Sequence, residues 1–228
     1  MSKVAVIVGY GPGTSKATAE KFAAAGFSLA LIARNQERLD AAVKEFAGKG
    51  VKAAGFRADA GDAEAISGAL REARAALGPI TVLQWTAYPS GAGDFTKASL
   101  AEIRAQFEVP IVGLMAAVQT ALPDLREQRG AILVTNGGLG FSNPQLDAMG
   151  AQYDLMGLSV GNAAKHKLVG LLSHKLQPEG VYVGEVVILG SVKGTAWDNG
   201  QATIEAQQVA DAFWKLYSER SAYTVNVG

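Results

Sequence analysis

The chain of 228 residues contains no cysteine and only two histidines, His166 and His174. The first absence excludes disulfides, thiolate nucleophiles and thiolate zinc sites, and agrees with a reducing compartment. The second argues against a multi-histidine metal site, so no metal is expected. Charge is sparse too: 18% of residues carry one, against roughly a quarter in an average soluble protein. Lys+Arg 21 balance Asp+Glu 21, which leaves no basic footprint for nucleic acid. Apolar runs are short. Val109–Val118 is interrupted by Pro110 and Gly113 and falls short of the ~20 residues of a membrane span. The expectation is a cytosolic protein that acts on a small molecule, with neither nucleic acid nor a membrane as partner.

Glycine, by contrast, is plentiful: 27 of 228 residues, about 12% against an average near 7%. Glycine supplies positive φ and close backbone approach, so its excess calls for places that need either. Strand-like segments at Val4–Val8, Ser28–Ala33, Val51–Arg57, Thr81–Trp85, Ala131–Thr135, Val181–Ile188 and Ala222–Val227 alternate with helix-like ones. The helices are expected at Ser15–Ala25, Gln36–Ala47 behind an Asn35 cap, and Asp62–Leu77. Others follow from the Ser99-x-x-Glu102 capping box towards Arg126, near Ala151–Leu176, and near Ile204–Tyr217. Seven strands with interposed helices predict an α/β fold, a doubly wound parallel sheet in a single domain over 1–228.

The first strand runs directly into Gly9-Tyr10-Gly11-Pro12-Gly13-Thr14-Ser15, and a helix begins at once. Strand, glycine loop and helix at the first βα turn form a dinucleotide-binding arrangement, in which backbone N–H groups and the helix dipole face a pyrophosphate. The bland alternative is a tight turn without a ligand. The second strand ends Ala33-Arg34-Asn35, with no Asp or Glu between Gly26 and Asn35. An acidic residue there suits a ribose hydroxyl and an arginine a 2′-phosphate, so NADP (as NADPH) is favoured over NAD. Arg34 is otherwise a solvated strand-end charge. Asp59, with Ala60 after it, ends the third strand, where it either accepts from an adenine amino group or caps a helix.

Together these residues resemble the short-chain dehydrogenase/reductase family, over the whole chain. Gly9-x-x-x-Gly13-x-Ser15 is similar to its glycine loop with serine for the last glycine, and Asp59 to its adenine-contacting aspartate. Leu83–Tyr88 stands where the family's fourth strand ends, which places Thr86, Ala87 and Tyr88 at the cofactor. Ile188-Leu189-Gly190-Ser191-Val192 resembles the segment whose backbone holds the nicotinamide, through Gly190 and Val192. The resemblance implies a Rossmann-type fold, oxidoreductase activity and a homodimer or homotetramer. Association would run through helices Leu100–Arg126 and Ala151–Leu176, with Gly113, Ala116, Ala117, Gly161, Ala163 and Ala164 as close-packing residues.

The family's catalytic set is Asn, Ser, Tyr and Lys. Here those positions fall on Pro110, Gly137, Leu158 and Asn162. A second likeness, to enoyl-acyl-carrier-protein reductases, rests on the serine of the glycine loop, on Gln84–Tyr88 and on Tyr153-Asp154-Leu155-Met156-Gly157-Leu158. Tyr153 is then the candidate proton donor. Such a donor needs a cation nearby to ease its ionisation, and Lys165, 12 residues on, would be about 18 Å away along one helix. Tyr153 can therefore serve only from the loop before that helix. Tyr10 and Tyr88 are alternative donors or stacking surfaces, Ser142 and Thr135 candidate carbonyl-orienting hydroxyls. Lys165-His166-Lys167 reads as a solvated helix face. The short stretch between Thr195 and Ile204 leaves room for only a small lid. Two functions stay open: an NADP-dependent reductase of a carbonyl or activated alkene, and a cofactor-binding sensor or partner subunit without turnover.

Overall fold

The structure is a computed structural model that describes residues 3–89 and 91–228. Five apolar residues, Val4–Val8, form β1, and none of them has solvent-exposed surface. Strands buried on both faces are what a parallel sheet covered by helices requires. The sheet contains β2 (Ser28–Ala33), β3 (Ala53–Arg57), β4 (Ile80–Trp85), β5 (Ala131–Gly137), β6 (Tyr182–Ile188) and β7 (Thr224–Val227). Its order is β3-β2-β1-β4-β5-β6-β7, and every pairing is parallel. The Rossmann-type, doubly wound fold expected from the sequence is the one found.

One face carries α3 (Ala63–Leu77), α5 (Leu114–Glu127) and α7 (Met156–Leu176), which bury Ile66, Leu70, Leu125 and Val169 against Val6, Leu83 and Ile132. The opposite face carries α1 (Thr14–Ala24), α2 (Gln36–Gly48) and α8 (Ala206–Glu219), packed through Phe22, Leu39, Phe46 and Phe213. The aromatics of α8 are core, as their helical spacing implied: the Tyr217 ring lies 5.5 Å from that of Phe22, edge to face.

Local signals set the helix starts. Asn35 accepts from Arg38 N and Asp62 from Glu64 N and Ala65 N, and Ser99 with Glu102 forms a full capping box on α4 (Leu100–Phe107). The long helix expected from Leu100 is interrupted by a π-helical turn, Glu108–Gly113, because Pro110 has no N–H to donate. This turn seats Gly113 on the loop after β3, where a β-carbon would lie 1.9 Å from Ala60 O. The helical run Leu100–Glu127 is long and apolar enough to compare with a membrane span. Its apolar side, however, packs on the sheet, and its buried Asp124 accepts from Ile80 N at 3.1 Å and pairs with Arg74. The helix expected near Ala151–Leu176 is two, α6 (Pro144–Gln152) and α7, separated by a break in which Asp154 takes a φ of 53°. β3, β6 and β7 begin at Ala53, Tyr182 and Thr224, one or two residues later than their apolar patterns suggest.

Candidate active site

β1 is flanked by β2 on one side and β4 on the other, so the chain reverses its winding there and opens a crevice at the strands' carboxyl ends. Two glycines shape that crevice. Gly9 has a φ of 85°, and a β-carbon on it would lie 2.5 Å from Ala87 N. Thr86 N donates to Val8 O at 2.9 Å, locking the two strand ends together. Gly13 has a φ of 78°, and its β-carbon would lie 2.6 Å from Thr195 Cγ2. Gly13 also stands at the N-cap of α1 without a capping side chain, and the first turn of α1 has no acidic residue. α2 and α3 are capped by Asn35 and Asp62, whereas α1 leaves its positive end open to an anion. Thr14 and Ser15 are buried at that end and Pro12 is exposed. Ser15 explains itself locally: its hydroxyl accepts from Gly11 N at 2.8 Å and donates to Gly11 O at 3.0 Å, which holds the loop's turn.

Arg34 is exposed immediately after β2. A second arginine, not apparent from the sequence, stands nearby. Arg38, one turn into α2, brings a guanidinium nitrogen to 3.6 Å from a β-carbon on Gly11. It borders a cavity of about 260 Å³ with Tyr10, Pro12, Lys16 and Glu45. The Asn35 cap, which starts a helix directly after Arg34 and puts Arg38 in its first turn, is the signal that could have found it. Asp59 is exposed beyond β3 and accepts from Gly61 N at 2.9 Å, while Asp62 does the helix capping.

Thr135 is not free to orient a carbonyl. Its hydroxyl is 2.9 Å from that of Thr86, and both hydrogen-bond with the buried Gln84 amide. Gly190 is exposed at the end of β6, and Val192 is buried in a bridge to Ile204. The short 193–204 segment is a tight strap: Asp198 accepts from Gly194 N and Gly200 N, both at 2.9 Å. Trp197 in this strap meets Tyr88, ring centres 6.0 Å apart, and both are nearly half exposed. Two apolar aromatic faces thus join the loop after β4 to the loop after β6.

The positions expected to hold the catalytic set converge. A β-carbon on Gly137 would lie 2.8 Å from Asn162 Nδ2, and one on Gly161 would lie 3.6 Å from Pro110 Cγ. Leu158 is one turn before Asn162 on α7. Tyr153 is 62% exposed at the carboxyl end of α6, ahead of α7. Ser142 is exposed in the loop before α6. Tyr10 is a different case: burial first, then Glu45, pushes its phenol up to about 12, which makes it a weaker acid than an ordinary tyrosine. The glycines of this region have packing reasons. A β-carbon on Gly140 would lie 2.7 Å from Ala163 N, one on Gly157 2.6 Å from Ala92 O, and one on Gly93 2.2 Å from Asp154 O.

Of Lys165-His166-Lys167, only Lys167 is a solvated residue; the other two turn inward. Lys165 is 3% exposed, and burial drives its amine down to about 8 against the opposing pull of Glu185. His166 Nδ1 hydrogen-bonds the fully buried Glu185 carboxylate on β6, and Phe141 packs edge-on against its ring. Gly113, Ala117 and Gly161, read as helix-association residues, are buried within the chain itself.

Residues 3–201 match the short chain dehydrogenase family model. An uncharacterized oxidoreductase of Staphylococcus epidermidis is 25% identical over 229 aligned positions, 98% of this chain and 94% of that one. The (2S)-[(R)-hydroxy(phenyl)methyl]succinyl-CoA dehydrogenase subunit BbsD of Thauera aromatica is 29% identical over 133 residues, 58% of this chain and 54% of the relative. The chain thus spans about half the length of that relative, and less of two further ones, 26% and 38%. Among solved structures, the NADPH-bound short chain oxidoreductase of Pseudomonas aeruginosa, described as having an atypical catalytic center, superposes with a TM-score of 0.85. The two are 23% identical, with 99% and 95% of the chains covered.

Proposed function

The chain belongs to the short-chain dehydrogenase family, and from that premise we propose that it is an NADP-dependent oxidoreductase reducing a carbonyl or an activated alkene. The observation that carries the proposal is the crevice between β1 and β4. Its two glycines leave no room for a β-carbon, and it ends on the uncapped helix α1. That shape suits a pyrophosphate approached by main chain alone. Gly9, Gly11, Pro12, Gly13, Thr14 and Ser15 would hold the phosphates, and Asp59 and Ala60 the adenine. Thr86, Ala87, Tyr88, Gly190 and Val192 would hold the nicotinamide half. Arg34, joined by Arg38, would take the 2′-phosphate, for which a guanidinium fork is well suited. NADPH was bound in the Pseudomonas structure, which is consistent with that preference. Arg34→Ala is expected to raise the Kd for NADPH about tenfold, the loss of one charge-assisted contact, while NADH binds as before. Parallel fluorescence titrations read both, and an equal change for the two cofactors would refute the assignment.

When bound, NADPH supplies a hydride; the protein must supply a proton and stabilise charge at the substrate oxygen. With Leu158 and Asn162 at the usual tyrosine and lysine positions, neither group comes from α7. Tyr153, ahead of α7, is the donor we assign, and Tyr88 with Trp197 provides an apolar rim for the substrate. Assays of NADPH oxidation over aldehydes, ketones, quinones and enoyl thioesters test the function. Tyr153→Phe should then lower kcat on the order of a hundredfold without changing NADPH affinity; unchanged turnover would remove Tyr153 from the mechanism. A second reading, a cofactor-binding sensor, is favoured by the convergence of Pro110, Gly137 and Asn162, which bring no hydroxyl and no ammonium to the site. Absence of turnover across the panel alongside NADPH binding would establish it.

A further inference from the structure

β6 presents Val183 and Val187 to the same sheet face as Glu185, and all three are buried. A carboxylate in such a layer is costly to bury and persists only where it is hydrogen-bonded. Here both of its oxygens are. One oxygen accepts from Asn136 Nδ2 at 2.8 Å. The other takes Thr224 Oγ1 at 3.0 Å and the His166 ring nitrogen. Among the described residues, the titratable groups facing the carboxylate are Lys165 and His166, both from α7; β5 and β7 contribute the neutral Asn136 and Thr224.

Asn136 passes this anchoring on. The second proton of its amide goes to Asn162 O at 3.2 Å, and its carbonyl accepts from Gly137 N at 3.0 Å. Both amide protons and the carbonyl oxygen are therefore engaged. The bonds reach the backbone of the two residues that touch each other where catalytic side chains are expected, Gly137 and Asn162. The β5–β6 ladder already pairs Asn136 with Val187 and does not need this network to form.

The geometry points to Glu185 as a positioning residue: through Asn136 it fixes the end of β5 against α7 and so sets the shape of the nicotinamide half of the site. The inference rests on the NADP reading above and adds a residue to it. Neither Glu185 nor Asn136 meets the adenosine half, which is built from the loops after β1, β2 and β3.

That asymmetry supplies the test. Wild type, Glu185→Gln and Asn136→Ala are titrated with NADPH, NADH and adenosine 2′,5′-bisphosphate, a probe of the adenosine half alone, well below their melting temperatures. Both variants are expected to bind NADPH and NADH about tenfold more weakly and the bisphosphate as wild type does. Asn136→Ala leaves the carboxylate and its α7 partners in place, so it carries the test if Glu185→Gln does not fold. Binding of NADPH within about twofold of wild type, or an equal loss for the bisphosphate, overturns the positioning role. If wild type itself binds neither dinucleotide, the NADP reading fails, and the positioning role with it.

Discussion

Gly9→Ala should destabilise the protein by roughly 2–5 kcal/mol and abolish dinucleotide binding. A non-glycine residue held in the left-handed region loses about 1–2 kcal/mol, and forcing extra volume into packed structure adds about 1–3 kcal/mol. Both terms apply, since Gly9 has a φ of 85° and its β-carbon would lie 2.5 Å from Ala87 N, a backbone atom that cannot rotate away. Relief requires β1 and β4 to part at their carboxyl ends, where the cofactor would sit. Gly26 offers the control. Its φ is also 85°, but nothing lies within 4 Å of its β-carbon position, so Gly26→Ala should show the conformational term alone. Thermal unfolding separates the two: for a chain of this size each kcal/mol lowers Tm by about 2–4 °C. Equal Tm values for the two variants would mean that the close approach at Gly9 contributes nothing.

The second large effect concerns pH. The Lys165 amine lies at about 8 in the folded protein because burial disfavours its charge, against about 10.4 in an unfolded chain. Between those values the unfolded chain holds a proton that the folded one lacks, so raising pH favours folding. Below about pH 8 both states are protonated and the destabilisation is complete; it is relieved as pH climbs through 8 towards 10.4. The difference in stability between wild type and Lys165→Met should therefore grow in favour of wild type by roughly 3 kcal/mol across that window. Surface lysines with raised values, such as Lys97 and Lys193, titrate in both proteins and cancel in the difference. Urea midpoints at a series of pH values measure it, and a flat difference would show that Lys165 does not titrate in this range.

Much of this architecture is legible in the sequence. Fully apolar runs such as Val4–Val8 can only be strands covered on both faces, and Asn35 and Ser99-x-x-Glu102 announce helix starts through their own hydrogen bonds. The glycine loop was readable for the same reason: positive φ and close approach are properties that glycine alone tolerates. What escaped depends on contacts between distant segments. Pro110 marks a break in the long helix, but whether a proline ends, kinks or π-bulges a helix is decided by what packs there, here Ala60 against Gly113. Lys165 looks solvated next to His166 and Lys167. Its burial follows from the i, i+3, i+7 face it shares with Asn162 and Val169, and from Glu185, the one charge in an apolar strand on the opposing sheet. Neither half of that pair signals burial without the other. The glycines near the expected catalytic positions are explained only by the fold: at Gly140 and Gly157 a β-carbon would run into backbone of another segment.

Whether the β1–β4 crevice is an NADP site is decided by titrating the wild-type protein with NADPH and with NADH, following the fluorescence of the reduced nicotinamide. Saturable NADPH binding is expected, at least about tenfold tighter than NADH through the 2′-phosphate. No saturation by either cofactor at millimolar concentration would contradict it.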